Sequence, residues 1–206
     1  MAGIEPALGG VATVPCPRSG CAFGWDRGAV FVGAVGMITR QFQKGDAASE
    51  AVYSPCEHYR YVLTRVWDPS GRRALFVMLN PSTATEYQND PTVERCERRA
   101  RTLGFGAFRV TNIFAYRATD PKVMRAQRDP VGPQNDQAIL DSVLGWSPDA
   151  IVCAWGAHGV YLDRGQAVAA LLRGTGRPLL HLGLTAAGQP KHPLYIGYDQ
   201  QPRPWA

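Results

Sequence analysis

The chain has 206 residues, 45% of them hydrophobic and 19% charged, which is enough to close one sizeable core and requires no second domain. Its formal charge of +5 is compatible with an acidic partner, nucleic acid above all, without identifying one. The five cysteines, at 16, 21, 56, 96 and 153, form neither an even framework nor a Cys-x-x-Cys pair. A disulfide scaffold and a tetrahedral zinc site therefore lack support, and reduced thiols of a cytoplasmic protein are the simplest reading.

Residues 1–36 are rich in Gly, Ala and Pro with few charges, and a more conventional polar sequence begins at Met37. They are expected to form a disordered extension or to precede the true start at Met37, with an ordered arm as the alternative, leaving 37–206 as one α/β domain. The apolar stretch Ala29–Ile38 is about ten residues against the roughly twenty that a membrane span needs, so no membrane anchor is expected.

Tyr59–Trp67 alternates and is rich in β-formers, and Asp68-Pro69-Ser70-Gly71 turns the chain into the apolar run Ala74–Leu79. This reads as a β-hairpin entering a central strand. Asp90 is placed to cap a helix that begins at Pro91, with Val93, Cys96, Ala100 and Leu103 on one face, Arg95, Arg98, Arg99 and Arg101 on the other, and Gly104 as the stop. Phe108–Phe114 is the next strand, and Asp120-Pro121 repeats the cap signal for a short helix up to about Gln127. Helices over Pro133–Leu144 and Gln166–Arg173 alternate with strands over Ala150–Trp155 and Pro178–Leu182, and the Pro-rich end Gln201–Trp205 reads as a loose tail. Alternation of this kind predicts a parallel sheet with helices on both faces.

Polar groups cluster where these strands end, which is where α/β sheets bind ligands. After Leu79, Asn80 offers an amide that donates and accepts, Pro81 fixes the turn, and Ser82 and Thr83 add hydroxyls. Such a loop can hold a water or a base edge, or its side chains can merely satisfy the turn. His192 follows a glycine- and proline-punctuated loop, where an imidazole can stabilise negative charge or shuttle a proton, and Lys191 beside it would attract phosphate. Asn112 stands at a strand end, an unfavourable place for Asn unless its amide has a partner such as a base edge or a neighbouring loop. Tyr87, Phe114 and Tyr116 can stack on a base or fill core. Asp129, Asn135 and Asp136 can bind a sugar or activate water, although capping is the simpler role for the last two. Gly156-Ala157-His158-Gly159 offers backbone N–H groups to a phosphate but lacks any complete phosphate-binding motif. Esterase, zincin and kinase motifs are absent from the sequence.

Taken in order, Leu79–Thr83, Asn89–Thr92, Thr111–Ala115 with Arg117–Pro121, Asp129–Pro133, Ala154–Gly156 and His192–Tyr195 closely resemble the bacterial domain-of-unknown-function family 1643, over about residues 50–197. That family in turn resembles the uracil-DNA glycosylase superfamily, with Leu79–Thr83 similar to its first motif and His192–Tyr195 to its second. The resemblance implies a three-layer α/β/α sandwich with a central, mainly parallel four-stranded sheet, plus an N-terminal β-hairpin element. It implies an N-glycosidic hydrolase with Asn80 positioning the attacking water and His192 stabilising the departing base. Asn112 would read the base, Tyr87 or Phe114 would stack on it, and Pro81, Ser82, Thr83, Arg117, Gly156, Lys191 and Tyr195 would complete the binding surface. No cofactor and no metal are implied, and the partner would be DNA or a nucleotide. Leu79 and Ser82 replace small residues of the first motif, and a serine of the second is missing between Pro193 and Leu194, so no particular base is named. A non-catalytic nucleic-acid or nucleotide-binding module on the same fold is the alternative, and an unrelated small-molecule enzyme is a third.

Overall fold

The computed structural model describes residues 31–33 and 36–206. The expected extension 1–36 therefore lies largely outside the described residues. The elements in chain order are β1 (Phe31–Gly33), β2 (Met37–Lys44), β3 (Ala47–Tyr53), β4 (Arg60–Val66), β5 (Arg72–Met78), α1 (Pro91–Thr102), β6 (Phe105–Asn112), α2 (Pro121–Arg125), α3 (Asn135–Leu144), β7 (Ala150–Cys153), α4 (Arg164–Arg173), β8 (Leu179–His181) and β9 (Arg203–Pro204). They build one sheet in the order β1-β2-β3-β4-β6-β5-β7-β8-β9.

The sheet corrects the expected architecture. It is mixed and mostly antiparallel, not a mainly parallel sheet of four strands. Only the pairs β5–β6, β5–β7 and β7–β8 are parallel, whereas β1–β2, β2–β3, β3–β4, β4–β6 and β8–β9 are antiparallel. The strands β2 and β3 escaped notice because a tight turn joins them, with Gly45 in the left-handed region at φ +61°, and such hairpins leave no strand–helix alternation to read. The expected hairpin over residues 59–79 is also corrected. The turn forms, with Gly71 N–H donating to Asp68 O at 3.1 Å, but β6 inserts between β4 and β5 and pairs with both. Gly106 makes that insertion possible, since a Cβ there would lie 2.4 Å from Asp68 O.

Alternation along β5 splits the core. Ala74, Phe76 and Met78 join Phe108, Val110 and Val152 under the apolar stripe Val93, Cys96 and Ala100 of α1. Leu75 and Val77 join Ile151 and Cys153 on the opposite face, against Ile139 and Val143 of α3 and Val168 and Leu172 of α4. Each large side chain so buried contributes about 1.5–3 kcal/mol. Helix α1 begins as its sequence predicts, Asp90 accepting from the N–H groups of Thr92 at 2.9 Å and Val93 at 2.8 Å, and Gly104 ends it at φ +72°.

The C-terminal segment is not a loose tail. Strand β9 pairs with β8, Trp205 N–H donates to Leu179 O at 2.8 Å, and the Trp205 ring meets Trp155 edge-on at 5.4 Å. Among the described residues no helix is long and apolar enough to cross a membrane.

Candidate functional site

The carboxyl ends of β6, β5, β7 and β8 form one continuous rim. Register places Met78 opposite Asn112 and Val77 opposite Cys153, and the pairing continues past the strands through Ile113 N–H to Met78 O at 2.8 Å, Phe114 N–H to Leu79 O at 2.9 Å and Ala154 N–H to Val77 O at 2.8 Å. The segments carrying Asn80, Asn112 and Gly156 are therefore side by side, and His192 joins them by packing on Gly156.

Asn80 is partly buried, and its amide nitrogen is committed, donating to Ala118 O at 2.7 Å and Pro81 O at 3.0 Å. Pro81 O also accepts from Ala118 N–H at 2.8 Å, which ties the first loop to the segment after β6. Beyond this tie lies an open cleft of about 480 Å³ lined by Ser82, Thr83, Thr85, Tyr87, Arg117, Ala118 and Thr119. It gathers four of the anticipated binding residues but neither Asn112 nor His192. Tyr87 is 53% exposed, its ring edge-on to Phe42. Arg117 donates to Glu57 O at 3.2 Å and lies over the Tyr53 ring at 5.3 Å.

The antiparallel strands hold this loop from behind with buried charged groups. Arg60 donates to Ala84 O at 2.6 Å, and Arg65 donates to Thr85 O at 2.7 Å and Asn89 Oδ1 at 3.1 Å. Ser49 donates to Glu86 O, and the Tyr53 hydroxyl to the Glu86 carboxylate at 2.9 Å. Burial first, and then Glu86, push the Tyr53 hydroxyl up to about 12; burial draws Arg60 down to about 10, against the pull of Asp90.

Asn112 is 1% exposed, and among the described residues neither its Nδ2 nor its Oδ1 has a hydrogen-bond partner. Alternation from Phe108 and Val110 puts it on the α1 face of the sheet, beside Met78. Buried side-chain amides are nearly always paired, so an amide with both ends open calls for an explanation. The backbone here is fixed independently: Asn135 Nδ2 donates to Asn112 O at 2.9 Å and Ile113 O at 3.0 Å, and Arg164 donates to Ile113 O at 2.7 Å while pairing with Asp136. Asn135 and Asp136 thus do not cap α3, whose N-cap is Gln134 without a side-chain bond.

Gly156 adopts φ +74°, and a Cβ on it would stand 3.2 Å from the Cβ of His192. Its N–H donates to Pro190 O at 2.7 Å, which docks the second loop onto the end of β7. His192 is partly buried, and its Nδ1 accepts from Leu194 N–H at 3.4 Å. Burial lowers its proton affinity, Asp90 opposes that and His158 adds to it. Burial thus favours the neutral ring, in which the Leu194 contact leaves the proton on Nε2, a donor suited to a developing anion.

The remaining anticipated residues scatter. Phe114 lies fully in the core, its ring 5.8 Å from Tyr161, and cannot stack on a base. Lys191 is exposed, and Tyr195 is 85% exposed. Sequence reasoning missed Arg60, Arg65, Glu86 and Arg164, and it offered Asn135 as a cap or ligand group where its amide instead holds the end of β6. The available signal was a charge inside an apolar β-rich run, as in Arg60-Tyr61-Val62-Leu63-Thr64-Arg65, since buried charges need partners.

No curated protein matches the sequence. A family model described as a protein of unknown function, DUF1643, matches residues 60–194, a span that contains both loops and every strand of the rim, and the chain belongs to that family.

Proposed function

We propose that this chain is a glycosylase-like hydrolase of the cytoplasm, cleaving the N-glycosidic bond of a base, ordinary or modified, in DNA or in a nucleotide or nucleoside. The observation that carries the reading is the Asn112 amide, buried with both polar ends unpaired at the carboxyl edge of the parallel strands. A donor and an acceptor held side by side match the edge of a base, and the site retains them at a cost of about 1–3 kcal/mol for each unsatisfied group. The neutral imidazole of His192 would donate from Nε2 to the base as it leaves with the bonding electron pair. Asn80, its nitrogen held by two carbonyls, would turn Oδ1 to the water whose oxygen bonds to the sugar carbon and whose proton is released. Tyr87, exposed on the adjoining cleft, would stack on the base or its neighbour.

One observation favours a second reading, a module that binds nucleic acid or nucleotides without cleaving them: the cleft that collects Ser82, Thr83, Tyr87 and Arg117 does not include His192. Incubation with oligonucleotides bearing uracil, hypoxanthine or bulky modified bases, followed by cleavage at abasic sites, separates the two. Product from the wild type and none from His192→Ala or Asn112→Leu supports the hydrolase. Salt-dependent binding without product supports the module.

A further inference from the structure

The geometry points to Arg99 as the residue that positions His192, acting through the chain segment 196–200 that it holds. Arg99 lies on α1 among three other arginines, yet it is 1% exposed where Arg98 is open to solvent. Its hydrogen-bond partners are main-chain carbonyls: Nη1 donates to Gln200 O at 2.6 Å and Tyr198 O at 3.5 Å, and Nη2 to Gly197 O at 2.7 Å and Ile196 O at 3.2 Å. Arg95 adds a bond to Ile196 O at 3.2 Å, and the Tyr198 ring lies against both guanidinium groups, 5.1 Å from Arg95 and 5.6 Å from Arg99.

Burying a guanidinium is expensive, and a well-packed apolar side chain would hold a tail at least as firmly. What a planar fork adds is direction, because it fixes several carbonyls at once in one orientation. Helix α1 carries that direction to the site. Asp90 at its N-cap is within electrostatic reach of His192, and Arg99 lies about 13 Å further along the axis at 1.5 Å per residue. The chain from His192 to Gln200 therefore follows the helix from one end towards the other. The far side of the loop is held too: Trp205 packs on Trp155, whose Nε1 donates to Gln189 Oε1 at 2.8 Å, three residues before His192. The C-terminal segment and Arg99 bracket the imidazole.

The functional consequence rests on His192 serving the proposed reaction, but the placement can be tested without substrate. The measurement is made on the full chain by NMR, following the ring titration of His192 and hydrogen exchange at the amides of Leu194 and Ile196, the latter donating to Pro193 O at 3.2 Å. The charged and titratable groups facing the ring are Asp90 from α1 and His158 from the turn after β7, with Lys191 adjacent in the chain. Arg99→Lys keeps the charge and loses the fork, so it decides the question, and Arg98→Gln, exposed and paired with Glu94 on its own helix, is the control for loss of a charge on α1. With circular dichroism confirming that each variant is folded, Arg99→Lys is expected to raise the His192 midpoint towards 6.5 and to speed exchange at Leu194 and Ile196 about tenfold, while Arg98→Gln leaves both near wild type. An unchanged midpoint or unchanged exchange in folded Arg99→Lys overturns the inference. Should Arg99→Lys fail to fold, Tyr198→Ala, which strips the ring from the fork, decides by the same two readouts. Because no reaction is measured, a negative result says nothing against the hydrolase, and an inactive enzyme says nothing against Arg99.

Discussion

Asn80 and Asn112 stand at the ends of neighbouring parallel strands, and their amides meet opposite fates. The nitrogen of Asn80 is spent on two carbonyls that fasten its own loop, whereas Asn112 is buried with donor and acceptor both unpaired. The difference follows from what surrounds each backbone. The first loop leaves the sheet and must be tied down, while the end of β6 is already fixed by Asn135 and Arg164, so its side chain is released from structural duty. One asparagine fastens its own loop, and the other keeps its amide unpaired.

The sharpest way to break this contrast is Asn112→Leu, nearly isosteric and unable to hydrogen bond. Two polar groups of a bound base would lose their partners at about 1–3 kcal/mol each, so binding of a base-containing ligand should fall roughly a thousandfold, read by titration calorimetry. The folded chain itself should be as stable as the wild type or more so in urea, because an unsatisfied buried amide has been removed. Greater stability with undiminished binding would mean that Asn112 has no ligand role.

Gly156→Ala carries the contrast across the sheet to His192. The left-handed backbone costs an alanine about 1–2 kcal/mol, and the new methyl meets His192 Cβ at 3.2 Å, so the second loop must shift. A displacement on the order of 1 Å at a reacting group costs about a hundredfold in turnover, whereas a ligand held chiefly by Asn112 should keep its affinity. Equal loss of binding and turnover would place the recognition of the base on the second loop instead.

Much of this site could be read from the sequence, and the part that could not has a common cause. The strands β5, β7 and β8, the capped helix α1 and the loops bearing Asn80 and His192 all follow from apolar runs ended by turn residues. The hairpins β2–β3 and β3–β4, and the insertion of β6 between β4 and β5, depend on which strand edge meets which, and no local pattern encodes that. Arg60, Arg65, Arg99 and Arg164 were hidden for the same reason, since each is read locally as a surface charge and each reaches a carbonyl 20 or more residues away in the chain. Phe114 misled in the opposite sense, its place at a strand end pointing to a site when its ring completes the core.

If the amide of Asn80 is structural, Asn80→Ala should destabilise. Losing its bonds to Pro81 O and Ala118 O costs about 1 kcal/mol each, so a loss near 2 kcal/mol is expected from urea unfolding, with ligand affinity reduced less than by Asn112→Leu. Stability equal to the wild type would instead free Asn80 for the ligand and erase the contrast between the two residues.

The smallest effect is in the pH dependence of stability, and it comes from the burial of His192. Its proton affinity is lowered in the folded chain by burial, so the unfolded chain binds a proton more readily below 6.5. Stability must then rise with pH from the folded His192 midpoint up to about 6.5, with a slope of at most about 1.4 kcal/mol per pH unit for one proton. The lowered carboxylates of Asp46, Asp68 and Glu94 titrate below this window and act there in the same direction, so the His192 contribution is isolated by difference. His192→Gln should flatten the slope just below pH 6.5 and leave the acid limb intact. A slope unchanged by that substitution would mean that the imidazole is as accessible to protons in the folded chain as in the unfolded one, and the neutral donor at the end of β7 would have to be sought in another residue.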